Sequence, residues 1–159
     1  RIRSLLSVID LDRTLFYIVS KSGATAETIA QTMIITQLLH ELYPKGTGDH
    51  VIMATDPEKG NLNAIARREG NKTYAIPDGV GGRFSELCPV GLFPAAVCGI
   101  DIAGLLAGAA QMDERCSGND LWENPALLGA VLQLISLRKG RNISVMMPYI
   151  DGFKYIADW

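Results

Sequence analysis

The feature that most constrains the fold of this chain is a series of short apolar runs that alternate with segments of helical periodicity. Each run is rich in Val, Ile, Met or aromatic residues and ends at a turn signal, which is typical of buried parallel strands. The runs lie at residues 14–20, 50–55, 72–77 and 142–148. Alternating strands and helices predict an α/β fold, with a parallel sheet flanked by helices on both faces.

The segments between the runs carry helical patterns. Residues 26–42 place Ile29, Met33 and Leu42 on one apolar stripe, and a shorter polar pattern covers residues 60–69. Two more helices are predicted at residues 102–116 and 125–137, and the largely apolar segment 88–110 is interpreted as two short buried helices. We see no internal repeat or linker, so residues 1–159 are predicted to form a single domain.

Composition argues against several classes of function. The formal net charge is -2 and the sequence pI is about 5.7, which is not the basic balance of a nucleic-acid binder. Asp101 near the middle of the apolar segment 88–110 argues against a membrane span. Cys88, Cys98 and Cys116 are odd in number and widely spaced, so we expect free thiols in a reducing cytoplasm rather than a zinc site or a disulfide framework.

A loop rich in hydroxyl groups joins the first run to the longest helix. Residues 20–28 read Ser-Lys-Ser-Gly-Ala-Thr-Ala-Glu-Thr. Free backbone N–H groups and the positive end of the helix dipole make a helix N-terminus suitable for an anion. A single hydroxyl would suffice for an ordinary helix cap, but this loop has four, which favours a phosphate site. Neither a Walker A sequence nor GxGxxG is present, so a nucleotide is not the favoured ligand.

A second motif follows the third run and is rich in glycine. Residues 77–85 read Pro-Asp-Gly-Val-Gly-Gly-Arg-Phe-Ser. Glycines allow the backbone to approach a ligand closely, and the guanidinium of Arg83 could stabilise an oxyanion that develops during a reaction. A flexible loop with a surface arginine is the alternative, and the motif alone does not decide between them.

Together the two motifs resemble the glucose-6-phosphate isomerase (phosphoglucose isomerase) family. The loop at residues 20–28 is similar to the family's phosphate-binding loop, and Gly-Gly-Arg-Phe-Ser at 81–85 is similar to its glycine-arginine signature. The resemblance extends over essentially the whole chain. It implies a sugar-isomerase (SIS) domain, a flavodoxin-like three-layer sandwich that is incomplete at both ends and lacks the family's first strand.

The resemblance also implies an activity and a set of residues. The activity is interconversion of glucose 6-phosphate and fructose 6-phosphate through a cis-enediol, in a cytoplasmic homodimer that needs no metal or cofactor. Lys21 would contribute its backbone N–H to phosphate binding, Gly82 would lie by the reacting carbons, and Arg83 would be the catalytic group that stabilises the enediolate. The hydroxyls that would hold the phosphate are those of Ser20, Ser22, Thr25 and Thr28.

The family's other catalytic groups match nothing in this chain. Its base lies in a Glu-Ser-x-Gly-Lys type segment that the resemblance places beyond residue 159, so the chain alone is expected to be inactive. His40 and His50 match no family motif, and Glu27 is explained by the first turn of a helix. The alternative is a non-catalytic SIS module that binds a phosphosugar; such modules lack the Gly-Gly-Arg-Phe-Ser segment.

Overall fold

A computed structural model describes residues 2–156, apart from the side chain at position 3. Its strands are β1 (Phe16–Ser20), β2 (Val51–Thr55) and β3 (Lys72–Ala75). They form one parallel sheet in the order β1-β2-β3, with Phe16 opposite Val51 and Ile52 opposite Lys72. The helices are α1 (Ile2–Leu6), α2 (Ala26–Leu42), α3 (Asn61–Glu69), α4 (Pro89–Val97), α5 (Ile102–Ser117) and α6 (Pro125–Arg138).

Internal contacts divide the chain into two compact units, with the division between residues 103 and 104, near the start of α5. The sheet and helices α1 to α4 belong to the first unit, and most of α5 and all of α6 belong to the second. The single domain predicted for residues 1–159 stays a prediction.

The core of the first unit lies on both faces of the sheet. On one face α2 and α3 pack against β2, where Leu39, Met53 and Leu62 are fully buried. On the other face Ala54 packs with Ile76 and Cys88, and the ring of Tyr17 lies 4.5 Å from that of Phe93 in α4. Helices therefore flank the sheet on both faces, which confirms the predicted α/β class.

Burial differs among the strands because their neighbours differ. Four of the five residues of β2 are buried, whereas all four residues of β3 are exposed. β2 lies between the other two strands, whereas β1 and β3 each have one neighbour, and β1 is half-buried apart from its buried last residue. The prediction that every strand is covered on both faces is therefore confirmed for β2 and wrong for β3.

The fourth predicted strand, at residues 142–148, does not form. These residues have no regular secondary structure and are exposed, with Ile143 at 82% and Val145 at 73%. A strand requires a neighbour that accepts and donates its ladder hydrogen bonds, and no described residue pairs with this segment. Apolar, β-branched composition alone was therefore a misleading signal here.

The second unit has little burial of its own. Asn124 (3% exposed) is its only described buried residue. Its side chain accepts hydrogen bonds from the N–H groups of Ala126 and Leu127 and donates to the carbonyls of Cys116 and Gly118, so it caps α6 and holds the end of α5. The buried helices expected within residues 88–110 form as α4 and the start of α5, but neither helix has a buried residue.

No helix in the described part of the chain is both long and apolar enough to cross a bilayer.

Candidate functional site

The loop between β1 and α2, residues 20–28, begins at the carboxyl edge of the sheet. Ser20 is the last residue of β1 and is buried, and its hydroxyl donates to Oγ1 of Thr25 at 3.2 Å. Gly23 donates its N–H to the carbonyl of Ser20 at 3.1 Å and has φ of 61°. This left-handed conformation is one that glycine adopts without the cost that a Cβ imposes. The chain therefore reverses tightly at Gly23 before α2 begins.

The hydroxyls of this loop do not serve as an ordinary helix cap. Thr25 is the N-cap of α2, yet its side chain makes no capping hydrogen bond. Ser22 is exposed, and its Oγ accepts from the N–H of Ala24 at 3.2 Å, ahead of the helix. Thr28 is half-buried and accepts a hydrogen bond from the Thr32 hydroxyl through its carbonyl. No side-chain cap thus occupies the first turn of α2, which is the arrangement that an anion site at a helix N-terminus needs.

The connection between β2 and α3 holds the loop from the side. The N–H of Asp56 donates to the carbonyl of Lys21 at 3.1 Å, and the N–H of Leu62 donates to the carbonyl of Gly23 at 2.9 Å. The hydroxyl of Thr55 is buried and has no hydrogen-bond partner among the residues that the structure describes, and a Cβ added at Gly23 would lie 2.8 Å from it. The path of residues 21–23 is therefore fixed by contacts from the neighbouring strand and helix.

The same connection contains a carboxylate with a lowered pKa. Oδ1 of Asp56 accepts the N–H groups of Glu58 and Lys59, both at 2.9 Å. These backbone hydrogen bonds stabilise the charged form and hold the pKa of Asp56 below its ordinary value. Asp56 therefore shapes the turn that leads to Gly60 and α3.

The Gly-Gly-Arg motif forms one turn of 3-10 helix over Gly82–Phe84. Phe84 donates its N–H to the carbonyl of Gly81 at 2.9 Å, and the Ser85 hydroxyl donates to the carbonyl of Gly82 at 2.7 Å. Arg83 is exposed, and it forms no ion pair with any described residue. The turn is thus closed by its own backbone and serine, and its guanidinium is open to solvent.

A small cleft of about 160 Å³ brings the two motifs together. Three residues of the predicted site, Ser20, Lys21 and Gly82, line it. Ser22, Thr25, Thr28 and Arg83 are not part of its wall. The remaining lining residues are Val19, Ile76, Val80, Ser85 and Val90. The hydroxyl loop follows β1 and the Gly-Gly-Arg turn follows β3, on either side of β2, and both reach this cleft at the carboxyl ends of the strands.

Tyr17 is a residue near the site that the sequence did not single out. Its hydroxyl donates to the carbonyl of Pro89, the first residue of α4, at 2.6 Å. Burial, followed by the proximity of Cys88 and Tyr74, raises the pKa of Tyr17 to about 12. This hydrogen bond joins β1, which precedes the hydroxyl loop, to α4, which follows the Gly-Gly-Arg turn. Nothing in the local sequence pattern distinguishes Tyr17 from a core residue.

The two histidines lie away from this cleft. Nε2 of His40 is 2.7 Å from a carboxylate oxygen of Glu69. His50 lies just before the amino end of β2, where its ring stacks on Tyr43. Among residues 2–156, with the side chain at position 3 excepted, no group of three or more potential metal ligands gathers in one place.

Comparison with known proteins identifies the family of the chain. The sequence model of the family described as phosphoglucose isomerase matches residues 1–159. The chain is 56% identical over its full length to glucose-6-phosphate isomerase of Carboxydothermus hydrogenoformans and covers 34% of that protein. It is 46% identical to glucose-6-phosphate isomerase of Rubrobacter xylanophilus, over 98% of this chain and 36% of that protein. The chain thus spans about a third of the length of these curated relatives.

Two solved structures share the fold of this chain. A hypothetical protein from Thermus thermophilus has a TM-score of 0.79 and 42% identity, over 84% of this chain and 32% of that one. A glucose-6-phosphate isomerase from Chlamydia trachomatis has a TM-score of 0.77 and 27% identity, over 99% of this chain and 30% of that one. The match over all 159 residues confirms the resemblance: the chain belongs to the phosphoglucose isomerase family.

Proposed function

We propose that this chain is the phosphate-binding part of an enzyme that interconverts glucose 6-phosphate and fructose 6-phosphate. The observation that carries the proposal is the shared cleft, in which Ser20 and Lys21 of the hydroxyl loop lie beside Gly82 of the Gly-Gly-Arg turn. One motif would bind the end of the substrate that does not react, and the other would contact the carbons that do. In this proposal residues 1–159 form one SIS domain of a cytoplasmic homodimer.

The hydroxyl loop would bind a dianionic phosphate through neutral hydrogen-bond donors at a helix N-terminus. The chain has a net charge of -2, so its overall charge gives no attraction to such a ligand. Neutral donors at the start of α2 offer hydrogen bonds together with the positive end of the helix dipole. In the proposal the hydroxyls of Ser20, Ser22, Thr25 and Thr28 and the N–H of Lys21 make these bonds. Binding then depends on their geometry rather than on bulk electrostatics.

The Gly-Gly-Arg turn would act on the reacting carbons. Isomerisation moves a proton between C1 and C2, and the cis-enediol intermediate places negative charge on oxygen. The exposed guanidinium of Arg83 has a permanent charge and planar donors, which can stabilise that oxygen as its charge develops. The general base would come from outside residues 1–159. The chain alone should therefore bind substrate without converting it.

Calorimetry with 6-phosphogluconate, a stable sugar phosphate, tests the proposal in the complete gene product. We expect saturable binding, and Kd at least ~100-fold higher in a Thr25→Ala, Thr28→Ala variant, since each of the two lost hydrogen bonds to a charged group is worth roughly 1.5–3 kcal/mol. Thr73→Ala is the control, because Thr73 is an exposed threonine on β3. Unchanged affinity in the double variant would place the phosphate elsewhere.

An isomerase assay completes the test. We expect the complete gene product to convert fructose 6-phosphate to glucose 6-phosphate and residues 1–159 alone to show no turnover. Binding without turnover in the complete gene product would instead indicate a phosphosugar-binding module. Turnover by residues 1–159 would contradict the proposal that the base lies outside them.

A further inference from the structure

The β2–α3 connection, residues 56–60, packs directly against the hydroxyl loop at residues 20–28. The N–H of Asp56 donates to the carbonyl of Lys21, and just past the connection the N–H of Leu62, in the first turn of α3, donates to the carbonyl of Gly23. These are contacts to the backbone of the loop and do not use its hydroxyls. The connection can therefore set where the loop lies while leaving its donors available to a ligand.

Gly60 is the point of closest approach. Its φ of 89° and ψ of 156° lie in a region that is essentially restricted to glycine. A Cβ added there would lie 2.3 Å from the carbonyl oxygen of Ser22 and 2.9 Å from Cα of Gly23. Both of those atoms are backbone, so a side chain at position 60 could be accommodated only by displacing the loop itself.

Asp56 determines how Gly60 reaches this position. Its carboxylate accepts the N–H groups of Glu58 and Lys59, and its carbonyl accepts the side-chain amide of Asn63 at 2.8 Å. These bonds close the turn between β2 and α3. The turn then delivers Gly60 against Ser22 and Gly23.

We propose that the β2–α3 connection is a positioning element for phosphate binding, and that Gly60 is the residue that sets the placement of Ser22 and Gly23. This inference rests on the proposed function of the hydroxyl loop. Hydrogen bonds to phosphate weaken steeply when donor and acceptor leave the 2.7–3.2 Å range. A displacement of the loop therefore lowers affinity for the phosphate, while the Gly-Gly-Arg turn keeps its own local geometry.

Gly60→Ala tests the inference in the complete gene product. We expect KM for fructose 6-phosphate and Kd for 6-phosphogluconate to rise at least tenfold, with kcat changed less than threefold. Gly70→Ala is the matched control. Gly70 ends α3, as Gly60 begins it, and also has positive φ, but a Cβ added there meets no atom within 4 Å. The control should keep wild-type KM and Kd. Equal KM in the two variants would overturn the inference.

A second pair of variants decides the question if Gly60→Ala does not fold. Asp56→Ala removes the acceptor that closes the turn and adds no atom, and we expect it to raise KM and Kd at least threefold. Asp56→Asn retains a side-chain oxygen acceptor and should restore values near wild type. Wild-type affinity in Asp56→Ala, or equal losses in both variants, would contradict a positioning role for the turn.

The wild-type protein separates this inference from the proposed function. If it neither binds 6-phosphogluconate nor isomerises fructose 6-phosphate, the proposed function and the inference both fail. If it does both, and Gly60→Ala behaves as Gly70→Ala does, only the inference fails.

Discussion

The two motifs that meet at the cleft are supported in different ways. The hydroxyl loop at residues 20–28 is held by its neighbours, through hydrogen bonds from Asp56 and Leu62 and through close backbone packing at Gly60. The Gly82–Phe84 turn is closed by hydrogen bonds within residues 81–85, and Phe84 at its tip is 81% exposed. The hydroxyl loop thus receives hydrogen bonds from neighbouring elements, whereas the hydrogen bonds that close the turn are local.

In the proposed function, the loop that neighbouring elements hold binds the phosphate, and the turn with local hydrogen bonds contacts the reacting carbons. Donors that are fixed before the ligand arrives cost little ordering entropy when it binds. The hydroxyl loop meets that condition within the first unit. The guanidinium of Arg83 meets no described partner that would orient it, so its orientation must come from the substrate or from parts of the protein outside residues 2–156. Variants in the two motifs should therefore fail differently.

The largest effect is expected from Arg83→Ala in the complete gene product. Loss of a donor that stabilises developing charge costs about 10²–10³-fold in kcat. KM should change little, because in the proposed function the guanidinium acts after the phosphate is bound, and stability should be unchanged, since the side chain is exposed. Steady-state kinetics and urea unfolding measure these quantities.

Arg13→Ala is the control for Arg83→Ala, because Arg13 is also an exposed arginine but lies in a short 3-10 helix before β1. A rise in KM with unchanged kcat would instead assign Arg83 to ground-state binding. That result would contradict the proposal that one motif binds the substrate and the other acts on its reacting carbons.

Two glycine substitutions test how tightly the backbone of each motif is packed. Gly23→Ala places a Cβ at positive φ and 2.8 Å from the Thr55 hydroxyl, so we expect a loss of about 2 kcal/mol in the free energy of unfolding. At Gly82 a Cβ meets no atom within 4 Å, and φ is not in the left-handed region. Gly82→Ala should leave stability within about 0.5 kcal/mol of wild type.

Urea unfolding of the two variants measures the difference. If Gly82→Ala were as destabilising as Gly23→Ala, the Gly-Gly-Arg turn would be as firmly packed as the hydroxyl loop. The contrast between a loop held by neighbouring elements and a turn closed by local hydrogen bonds would then be wrong.

Much of the first unit could be predicted from local sequence patterns. The stripe through residues 26–42 gave the bounds of α2, which is observed as Ala26–Leu42. The strand at residues 50–55 is observed as Val51–Thr55. The segment at 142–148 had an equally apolar pattern and formed no strand, because pairing depends on a neighbour that composition cannot report.

The sequence indicated where the motifs of the site lie along the chain, but not the contacts that they make across the fold. The sequence indicated that each motif follows a strand, and Ser20, Lys21 and Gly82 are found to line one cleft. The contacts of Gly60 and Tyr17 were not predictable, because each depends on a backbone approach or hydrogen bond across the fold. For Tyr17 that separation is 72 residues. Residue type and spacing carry no information about such contacts.

The smallest effect is expected from Tyr17→Phe, which removes the hydrogen bond between β1 and the first residue of α4. The ring and its contact with Phe93 at 4.5 Å remain, so the change is confined to the hydroxyl. A partly buried hydrogen bond contributes about 1 kcal/mol to the free energy of unfolding. Urea unfolding at pH 8 should show a loss of that size.

The pH dependence of this loss tests whether the hydroxyl acts as the structure indicates. Since the pKa of Tyr17 is raised to about 12 from an ordinary 10, the folded state holds the proton more tightly than the unfolded state does. The stabilisation is therefore complete below pH 10 and is lost as the pH rises towards 12. The difference in unfolding free energy between wild type and Tyr17→Phe should shrink over that interval. Tyr43, whose pKa is also raised to about 12 by its hydrogen bond to Asp12, is present in both proteins, so its effect cancels. A difference that stayed constant from pH 8 to 12 would show that the Tyr17 hydroxyl titrates alike in both states, which would contradict the burial that raises its pKa.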